Sequence, residues 1–192
     1  MPRGLLINAV ELSHRILSQV VTLTDTVIDA TCGNGNDTLF LAGLAKNGKV
    51  YAFDIALEAI VNTNELIKNH GLQDRVQVIQ SDYREISLKV SDQAMAIMFN
   101  LGYLPGAPRD TATRLPESLE AVKNSIPLLK EGGVMTIVCY TGHNGGKEEA
   151  EAIESYLGTL RQQEFEVTQI RFINQINNPP VLLVVNRLRG MV

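Results

Sequence analysis

The feature that most constrains the fold of this chain is a glycine-rich turn between a buried strand and a helix. Residues 26–30 form a short apolar run rich in branched side chains, which is typical of a buried parallel strand. Gly33 and Gly35 follow, and glycines allow a tight turn and a close approach of the backbone to a ligand. Residues 37–46 then have the spacing of a helix. This order predicts an open α/β sheet with a ligand at the turn, and the alternative is a turn that binds nothing.

The rest of the chain continues the alternation of strands and helices, beginning with an amphipathic helix over residues 5–20. Alternation of this kind predicts a mostly parallel sheet with helices on both faces, and the two terminal strands can form a hairpin that makes the last strand antiparallel. We therefore expect one α/β domain over residues 1–192 with seven strands. The further strands are predicted at 49–54, 75–80, 93–100, 134–140, 165–172 and 181–188, and the further helices at 56–69, 117–129 and 147–162.

Composition narrows the class of protein. Hydrophobic residues make up 45% and charged residues 20% of the 192 residues, as in globular proteins. No apolar run approaches the roughly 20 residues of a membrane span, and the first residues do not resemble a secretory signal, so we expect a cytoplasmic protein without membrane contact. The two cysteines are far apart and indicate neither a disulfide framework nor a metal site. A net charge of −4 argues against binding of nucleic acid by bulk electrostatics, but it allows a local contact.

Acidic residues around the turn favour S-adenosylmethionine over a dinucleotide. Asp29 ends the first predicted strand, where a carboxylate can accept from a cationic amino group or from N–H groups of the loop. The third small residue of the dinucleotide fingerprint is missing after Gly35. Asp37, at the start of the helix, would repel a pyrophosphate. S-adenosylmethionine carries no phosphate and is therefore the predicted cofactor.

Two further strand ends complete the predicted cofactor site. Asp54 lies 19 residues after Gly35, where an acid can accept both ribose hydroxyls, although it could also be an ordinary residue at a strand end. Asp82 can accept from an adenine amino group and Tyr83 can flank the ring, but Ser-Asp is also a common helix start. The predicted cofactor-binding residues are Asp29, Thr31, Gly33, Asn34, Gly35, Asn36, Asp37, Thr38, Asp54, Asp82, Tyr83 and Asn100.

Two loops at the same sheet edge suggest amine chemistry. Asn100 ends the fourth predicted strand, and its carbonyl oxygen can accept from an amine and orient the lone pair for in-line displacement. The sequence resembles the Asn-Pro-Pro-Tyr motif of nitrogen-directed methyltransferases, with Leu101 and Gly102 in place of the prolines. His143 lies in a second glycine loop and could remove the amine proton or hydrogen-bond the substrate. The alternatives are a loop that only gives shape and a histidine that only caps or packs.

Three segments together resemble the bacterial putative rRNA methylase family (YtqB-like). They are residues 29–38 (DATCGNGNDT), 100–106 (NLGYLPG) and 140–149 (YTGHNGGKEE). The family often has Gly-Gly where this chain has Gly106-Ala107. The resemblance implies a Rossmann-like, class I S-adenosylmethionine-dependent methyltransferase. It further implies a tRNA anticodon stem-loop as substrate, in which the 5-aminomethyl group of the wobble (2-thio)uridine becomes 5-methylaminomethyl.

Within this resemblance, Asn100 would orient the amine, while Tyr103 would stack on a flipped-out base and His143 would help to hold it. His14 in the first helix could face either the core or the cofactor. Apolar residues 181–185 form either core or a homodimer surface. Other substrates stay open, namely rRNA, a small molecule or a protein amine, and so does a non-catalytic nucleotide-binding module. Candidates for phosphate contacts are Arg15, Arg109, Arg114 and Lys147.

Overall fold

The computed structural model describes residues 8–102 and 116–190. The first three residues of the predicted helix 5–20 lie outside this part, as do Tyr103, Arg109 and Arg114. The strands are β1 (Thr26–Asp29), β2 (Lys49–Asp54), β3 (Val76–Gln80), β4 (Ala94–Leu101), β5 (Leu129–Cys139), β6 (Phe165–Ile170) and β7 (Val181–Arg187). The helices are α1 (Ala9–Leu17), α2 (Asn36–Leu44), α3 (Leu57–Asn69), α4 (Ile86–Lys89), α5 (Glu117–Ser125) and α6 (Gly146–Leu157).

The strands form one sheet in the order β3-β2-β1-β4-β5-β7-β6. β1 pairs with β2 and β4, β2 with β3, and β4 with β5, all in parallel, whereas β7 is antiparallel to both β5 and β6. The predicted seven-stranded, mostly parallel sheet with an antiparallel last strand is confirmed. The strand order reverses beside β1, so the crevice beyond the carboxyl ends of β1 and β4 is where open sheets of this kind bind ligands.

Helices cover both faces of the sheet, as predicted. One buried cluster packs α1, α2 and α3 onto the sheet through side chains such as Leu17, Leu41 and Ile67. The other packs α4, α5 and α6 onto the opposite face through Ile86, Val122 and Ile153, among others. Every residue of β4 except Asn100 is buried, which explains why this strand is almost continuously apolar. No helix in the described part of the chain is long and apolar enough to cross a membrane.

The predicted helix 117–129 is wrong at its end. α5 ends at Ser125, and a 3-10 turn over Ile126–Leu128 separates it from β5. Pro127 explains the difference, because proline has no N–H group to donate to a carbonyl of the preceding turn, so the α-helical hydrogen bonds stop there. β5 begins at Leu129, five residues before the predicted strand 134–140, and its pairing with β4 shifts register beside Ala94.

Several other boundaries also differ from the predictions, most of them by one or two residues and those of α1 and α6 by more. α6 ends at Leu157, with Gly158 as its C-cap residue, so the predicted helix 147–162 is too long. α1 begins after Asn8, whose side chain accepts from the backbone N of Glu11 at 2.9 Å, and it ends at Leu17 instead of residue 20. The short helical segment over Tyr83–Glu85 and α4 was not predicted, because it is too short to show a helical period.

Candidate functional site

The glycine loop between β1 and α2 has the backbone geometry that the sequence predicts. Gly33 and Gly35 have φ of 52° and 81°, in the left-handed region. A Cβ on Gly35 would also lie 3.0 Å from Leu66 Cδ2 and 3.1 Å from Thr63 Oγ1. Thr63, a buried residue of α3, donates a hydrogen bond to the Gly33 carbonyl at 3.0 Å. α3 therefore packs closely under the loop, and a side chain at position 35 would be strained both by this contact and by the φ of 81°.

Asp29 lies at the carboxyl end of β1 and is fully buried. Its oxygens accept from Thr38 Oγ1 at 2.6 Å and from the backbone N of Thr31 at 3.2 Å. Burial raises the pKa of Asp29 to about 7, and the neighbouring charges of Asp37 and Asp54 add to this rise. Three carboxyl groups thus gather at one end of the sheet, where a cationic ligand would be stabilised.

Asp54, at the end of β2, fixes the conformation of the glycine loop. Its two oxygens accept from the backbone N of Gly33 and of Ala56, both at 3.0 Å. Each carboxylate oxygen has a further lone pair, so the group can still accept from a ligand hydroxyl. The predicted position beside the loop is therefore observed.

Asp82 follows β3 and is held by its neighbour Arg84. One oxygen accepts from the Arg84 backbone N at 2.9 Å, and the other from its guanidinium at 2.6 and 2.9 Å. These hydrogen bonds lower the pKa of Asp82, so the group is an ionised acceptor. The Tyr83 ring packs partly against the core, and burial raises its pKa above the ordinary value. Asn34 and Asn36 are both exposed on the loop side of this crevice.

Asn100, near the end of β4, is tied to the glycine loop from two directions. Its backbone N donates to Thr31 Oγ1 at 2.8 Å, and its side-chain Nδ2 donates to Asp37 Oδ2 at 3.1 Å. The other Asp37 oxygen lies 2.8 Å from His14 Nε2. The Asn100 Oδ1 atom is buried and has no hydrogen-bond partner among the described residues. A buried acceptor without a partner is costly, and such an atom is a place where a ligand donor fits.

His143 lies in the loop after β5, next to the β4 end. Its Nδ1 is 3.1 Å from the Asn144 carbonyl, and its Nε2 is buried without a partner in the described part of the chain. Gly146 allows this arrangement, because a Cβ there would collide with the Tyr140 carbonyl oxygen and lie 2.8 Å from His143 Nε2. The Tyr140 backbone N in turn donates to the Leu101 carbonyl, which ties the two loops together.

The structure thus brings the predicted residues of β1, β2, β3, β4 and β5 to one sheet edge, and Tyr103 lies outside the described residues. Sequence reasoning missed two contacts at this edge. Thr63 supports the glycine loop. The sequence could have indicated this contact only through the presence of a polar residue on the buried face of an amphipathic helix. His14 reaches Asp37, and no local pattern could show a contact between residues so far apart in sequence.

The described residues contain no group of His, Cys, Asp and Glu that could hold a metal ion. Cys32 and Cys139 are buried free thiols. Burial raises the pKa of Cys32 well above its ordinary value and that of Cys139 to about 12, so both stay protonated at neutral pH. Neither thiol is therefore suited to act as a nucleophile.

Comparison with known proteins identifies the family. Residues 50–186 match the model of the family described as "Putative rRNA methylase". A chloroplastic tRNA (mnm(5)s(2)U34)-methyltransferase of Arabidopsis thaliana is 34% identical over 93% of this chain and 69% of that protein. A putative rRNA methylase of Clostridium thermocellum has 39% identity and a TM-score of 0.91, covering 94% of this chain and 98% of its own. A putative methyltransferase of Streptococcus mutans, solved in complex with SAH, has 39% identity and a TM-score of 0.86 over the same shares. The chain therefore belongs to the putative rRNA methylase family and is an S-adenosylmethionine-dependent methyltransferase.

Proposed function

We propose that this enzyme methylates the 5-aminomethyl group of a wobble (2-thio)uridine in tRNA, giving the 5-methylaminomethyl group. The Arabidopsis relative is named for a tRNA wobble position, which supports this class of substrate. The observation on this chain that carries the proposal is the buried Asn100 Oδ1 atom without a described partner, at the carboxyl end of β4. A primary amine offers the N–H donor that this acceptor lacks.

The residues at the sheet edge fit S-adenosylmethionine as the methyl donor. When bound, this compound would supply a methyl group on a positively charged sulfur. The lone pair of a nucleophile would attack the methyl carbon while the bond from that carbon to sulfur breaks and the neutral thioether leaves. The buried Asp29, whose pKa burial raises to about 7, would be stabilised in its ionised form beside a cation. Asp54 can still accept hydrogen bonds from ligand hydroxyl groups, and the backbone of the glycine loop is closely packed. Neither feature requires that the ligand carry a phosphate.

Asn100 would act by positioning the amine. Its carbonyl oxygen accepts one amine N–H, so the lone pair points away from the asparagine and towards the methyl donor. Positioning of this kind is a large part of the rate enhancement in displacement reactions. The side chain forms no covalent bond and transfers no proton in this role.

His143 would manage the proton of the amine. An alkyl amine is mostly protonated at neutral pH, with a reference pKa of about 10.4 for lysine, and it must lose a proton before it can attack. The buried Nε2 atom of His143 has no described partner and can accept that proton or hydrogen-bond the amine. The neighbouring Gly146 keeps the space around this nitrogen free of a side chain.

Recognition of RNA would rest on a few contacts, because the net charge of −4 gives no general attraction to nucleic acid. We propose that an anticodon stem-loop presents a flipped-out base to the cleft, with Tyr103 as its stacking partner. Lys147 is exposed beside the His143 loop, and its ion pair with Glu151 is long, at 3.6 Å. Its ammonium group is therefore accessible to a phosphate. A cytoplasmic location and a homodimer remain predictions from the sequence. Residues 181–185 are not the dimer surface, because they lie in β7 between β5 and β6, and Leu182, Leu183 and Val185 are buried in the core.

The test is methyl transfer in vitro from labelled S-adenosylmethionine to tRNA that carries 5-aminomethyluridine, followed by nucleoside mass spectrometry. We expect label in 5-methylaminomethyluridine and none when the tRNA is already methylated. Asn100→Ala should slow the transfer by about a hundredfold, the scale of a lost positioning contact. The matched control is Asn186→Ala at the opposite end of the sheet, which should keep the wild-type rate.

Label in rRNA, in a small amine or in protein, with none in tRNA, would overturn the proposed substrate. A non-catalytic module is tested by calorimetry, since binding of NAD without binding of S-adenosylmethionine would contradict the assignment of the cofactor.

A further inference from the structure

We infer that Asp37 and His14 are positioning residues, which fix the side-chain amide of Asn100 in the orientation that its task requires. This inference rests on the proposed function, because Asn100 is the proposed contact of the substrate amine. It assigns a role in the reaction to α1, a helix that contributes no residue to the glycine loop or to the strand ends.

Asp37 lies between two donors, one on each oxygen. His14 Nε2 is 2.8 Å from Oδ1, and Asn100 Nδ2 donates to Oδ2 at 3.1 Å. The side chains of His14 and Asp37 are only 20% and 11% exposed, so water competes little for these hydrogen bonds. An ionised carboxylate only accepts, and both neighbours must therefore present an N–H group to it.

This arrangement determines which way the Asn100 amide faces. The oxygen and nitrogen of an amide have nearly the same shape, so the hydrogen-bond network decides between the two orientations. In the flipped orientation, the Asn100 oxygen would face the Asp37 carboxylate oxygen at the distance where Nδ2 now lies, 3.1 Å. Two acceptors at that distance repel each other. Asp37 thus holds Nδ2 towards itself and leaves Oδ1, the atom without a described partner, for the substrate.

His14 holds Asp37 in turn. Its ring stacks on Phe40 of α2, with centroids 3.8 Å apart and planes inclined by 11°, so the ring cannot turn freely. The carboxylate contact requires the proton on Nε2. A separate buried hydrogen bond, from Ser13 Oγ to Thr136 Oγ1 at 2.8 Å, fixes α1 on β5. The position of the helix and the orientation of the carboxylate therefore depend on different side chains and can be tested apart.

The experiment compares His14→Phe with His14→Gln. Phenylalanine keeps a ring that can stack on Phe40 but lacks the donor, whereas glutamine carries an amide N–H in place of Nε2. We expect His14→Phe to lower the single-turnover rate of methyl transfer to 5-aminomethyl tRNA by about tenfold to a hundredfold, with unchanged Kd for SAH. His14→Gln should restore most of the rate. Asp37→Asn, which keeps the shape but can accept from only one of its two neighbours, should slow the reaction at least as much as His14→Phe.

The control for helix docking is Ser13→Ala. It removes the buried hydrogen bond that fixes α1, so it should lower the unfolding free energy and leave the methyl-transfer rate near that of the wild type. If His14→Phe keeps the wild-type rate, or if its whole effect is a weaker Kd for SAH, the positioning role is wrong. The same conclusion follows if His14→Gln is as slow as His14→Phe.

A second measurement does not depend on the substrate. In a 15N-labelled sample, the side-chain amide signal of Asn100 is identified by its disappearance in Asn100→Ala. We expect this signal to move in Asp37→Asn and His14→Phe, and to return near its wild-type position in His14→Gln. An unmoved signal would overturn the inference. If the wild-type enzyme fails to methylate tRNA, the proposed substrate fails, while the amide signal still decides whether Asp37 and His14 hold Asn100.

Discussion

The buried carboxyl group of Asp29 makes stability depend on pH in a defined direction. Its folded-state pKa is about 7, against an ordinary value of 3.8, chiefly because burial disfavours the charge. Between these values the folded chain holds a proton that the unfolded chain has lost, so the unfolding free energy falls as pH rises. Each pH unit of difference corresponds to roughly 1.4 kcal/mol, and the full effect is therefore about 4 kcal/mol, complete above about pH 7.

Asp29→Asn should remove this dependence. The amide is neutral at every pH, and its oxygen can still accept from Thr38 or from the loop backbone. Urea unfolding followed by circular dichroism, without ligand, gives the free energy of both proteins from about pH 4 to about pH 8. The stability of the variant relative to wild type should rise by about 4 kcal/mol across this interval.

Asp92→Asn is the matched control, because this half-exposed acid has its pKa lowered by a hydrogen bond from Lys49. The stabilisation it gives is lost only as pH falls below about 4, so between about pH 4 and pH 8 the stability of this variant relative to wild type should stay nearly constant, unlike that of Asp29→Asn. A flat difference between Asp29→Asn and the wild type, or one that falls with pH, would refute the reasoning for Asp29.

Three further predictions concern the donor site. Gly35→Ala should destabilise the fold by at least about 1 kcal/mol, since it puts a Cβ at φ 81° against Thr63 and Leu66, and calorimetry should show weaker SAH binding. Thr63→Val should lower the free energy of unfolding in urea by about 1 kcal/mol, because the hydrogen bond to the Gly33 carbonyl is lost. If this variant binds SAH with the wild-type Kd, Thr63 does not support the glycine loop for ligand binding. Binding of the cationic donor below about pH 7 should lower the raised pKa of Asp29 and so release a proton. The release is measured as a dependence of the calorimetric binding heat on the buffer. If no proton is released, the charge of the donor does not lie near Asp29.

Most of the sheet and the location of the site could be predicted because their signals are local. The branched apolar run before Gly33, the acids at the ends of β1 and β2, and Asn100 at the end of β4 each occupy a strand end that periodicity alone identifies. Parallel strands then bring these ends to one edge. Predictions of this kind need only the order of elements and no knowledge of side-chain contacts.

The boundaries of the helices and strands, and the contacts that hold the site residues in place, could not be predicted from periodicity alone. The helix predicted over 117–129 ends before Pro127, and the strand predicted over 134–140 begins earlier, because Gly132 and Gly133 belong to an irregular part of β5. The contact of His14 with Asp37 joins residues 23 positions apart through the packing of α1. A sequence shows that His14 lies on an amphipathic helix, but only the packed structure shows which carboxylate it reaches.

The arrangement also explains why acids surround a site proposed to bind RNA. Asp29, Asp37 and Asp54 lie at the carboxyl ends of β1 and β2 or at the start of α2, where the positive sulfur of the donor can compensate their charge. Phosphates of the RNA would then have to approach from the loops after β4 and β5, where Lys147 is exposed. Under this proposal the donor and the nucleic acid would have separate electrostatic surroundings.

The central claim is methylation of a wobble 5-aminomethyl group by the residues around Asn100. The most direct test is nucleoside mass spectrometry of tRNA from a strain that lacks the gene, complemented with wild-type enzyme or with Asn100→Ala. We predict that the deletion loses 5-methylaminomethyl(-2-thio)uridine and accumulates the 5-aminomethyl form, and that only the wild-type enzyme restores the methylated nucleoside. An unchanged level of the methylated nucleoside in the deletion strain would contradict the claim.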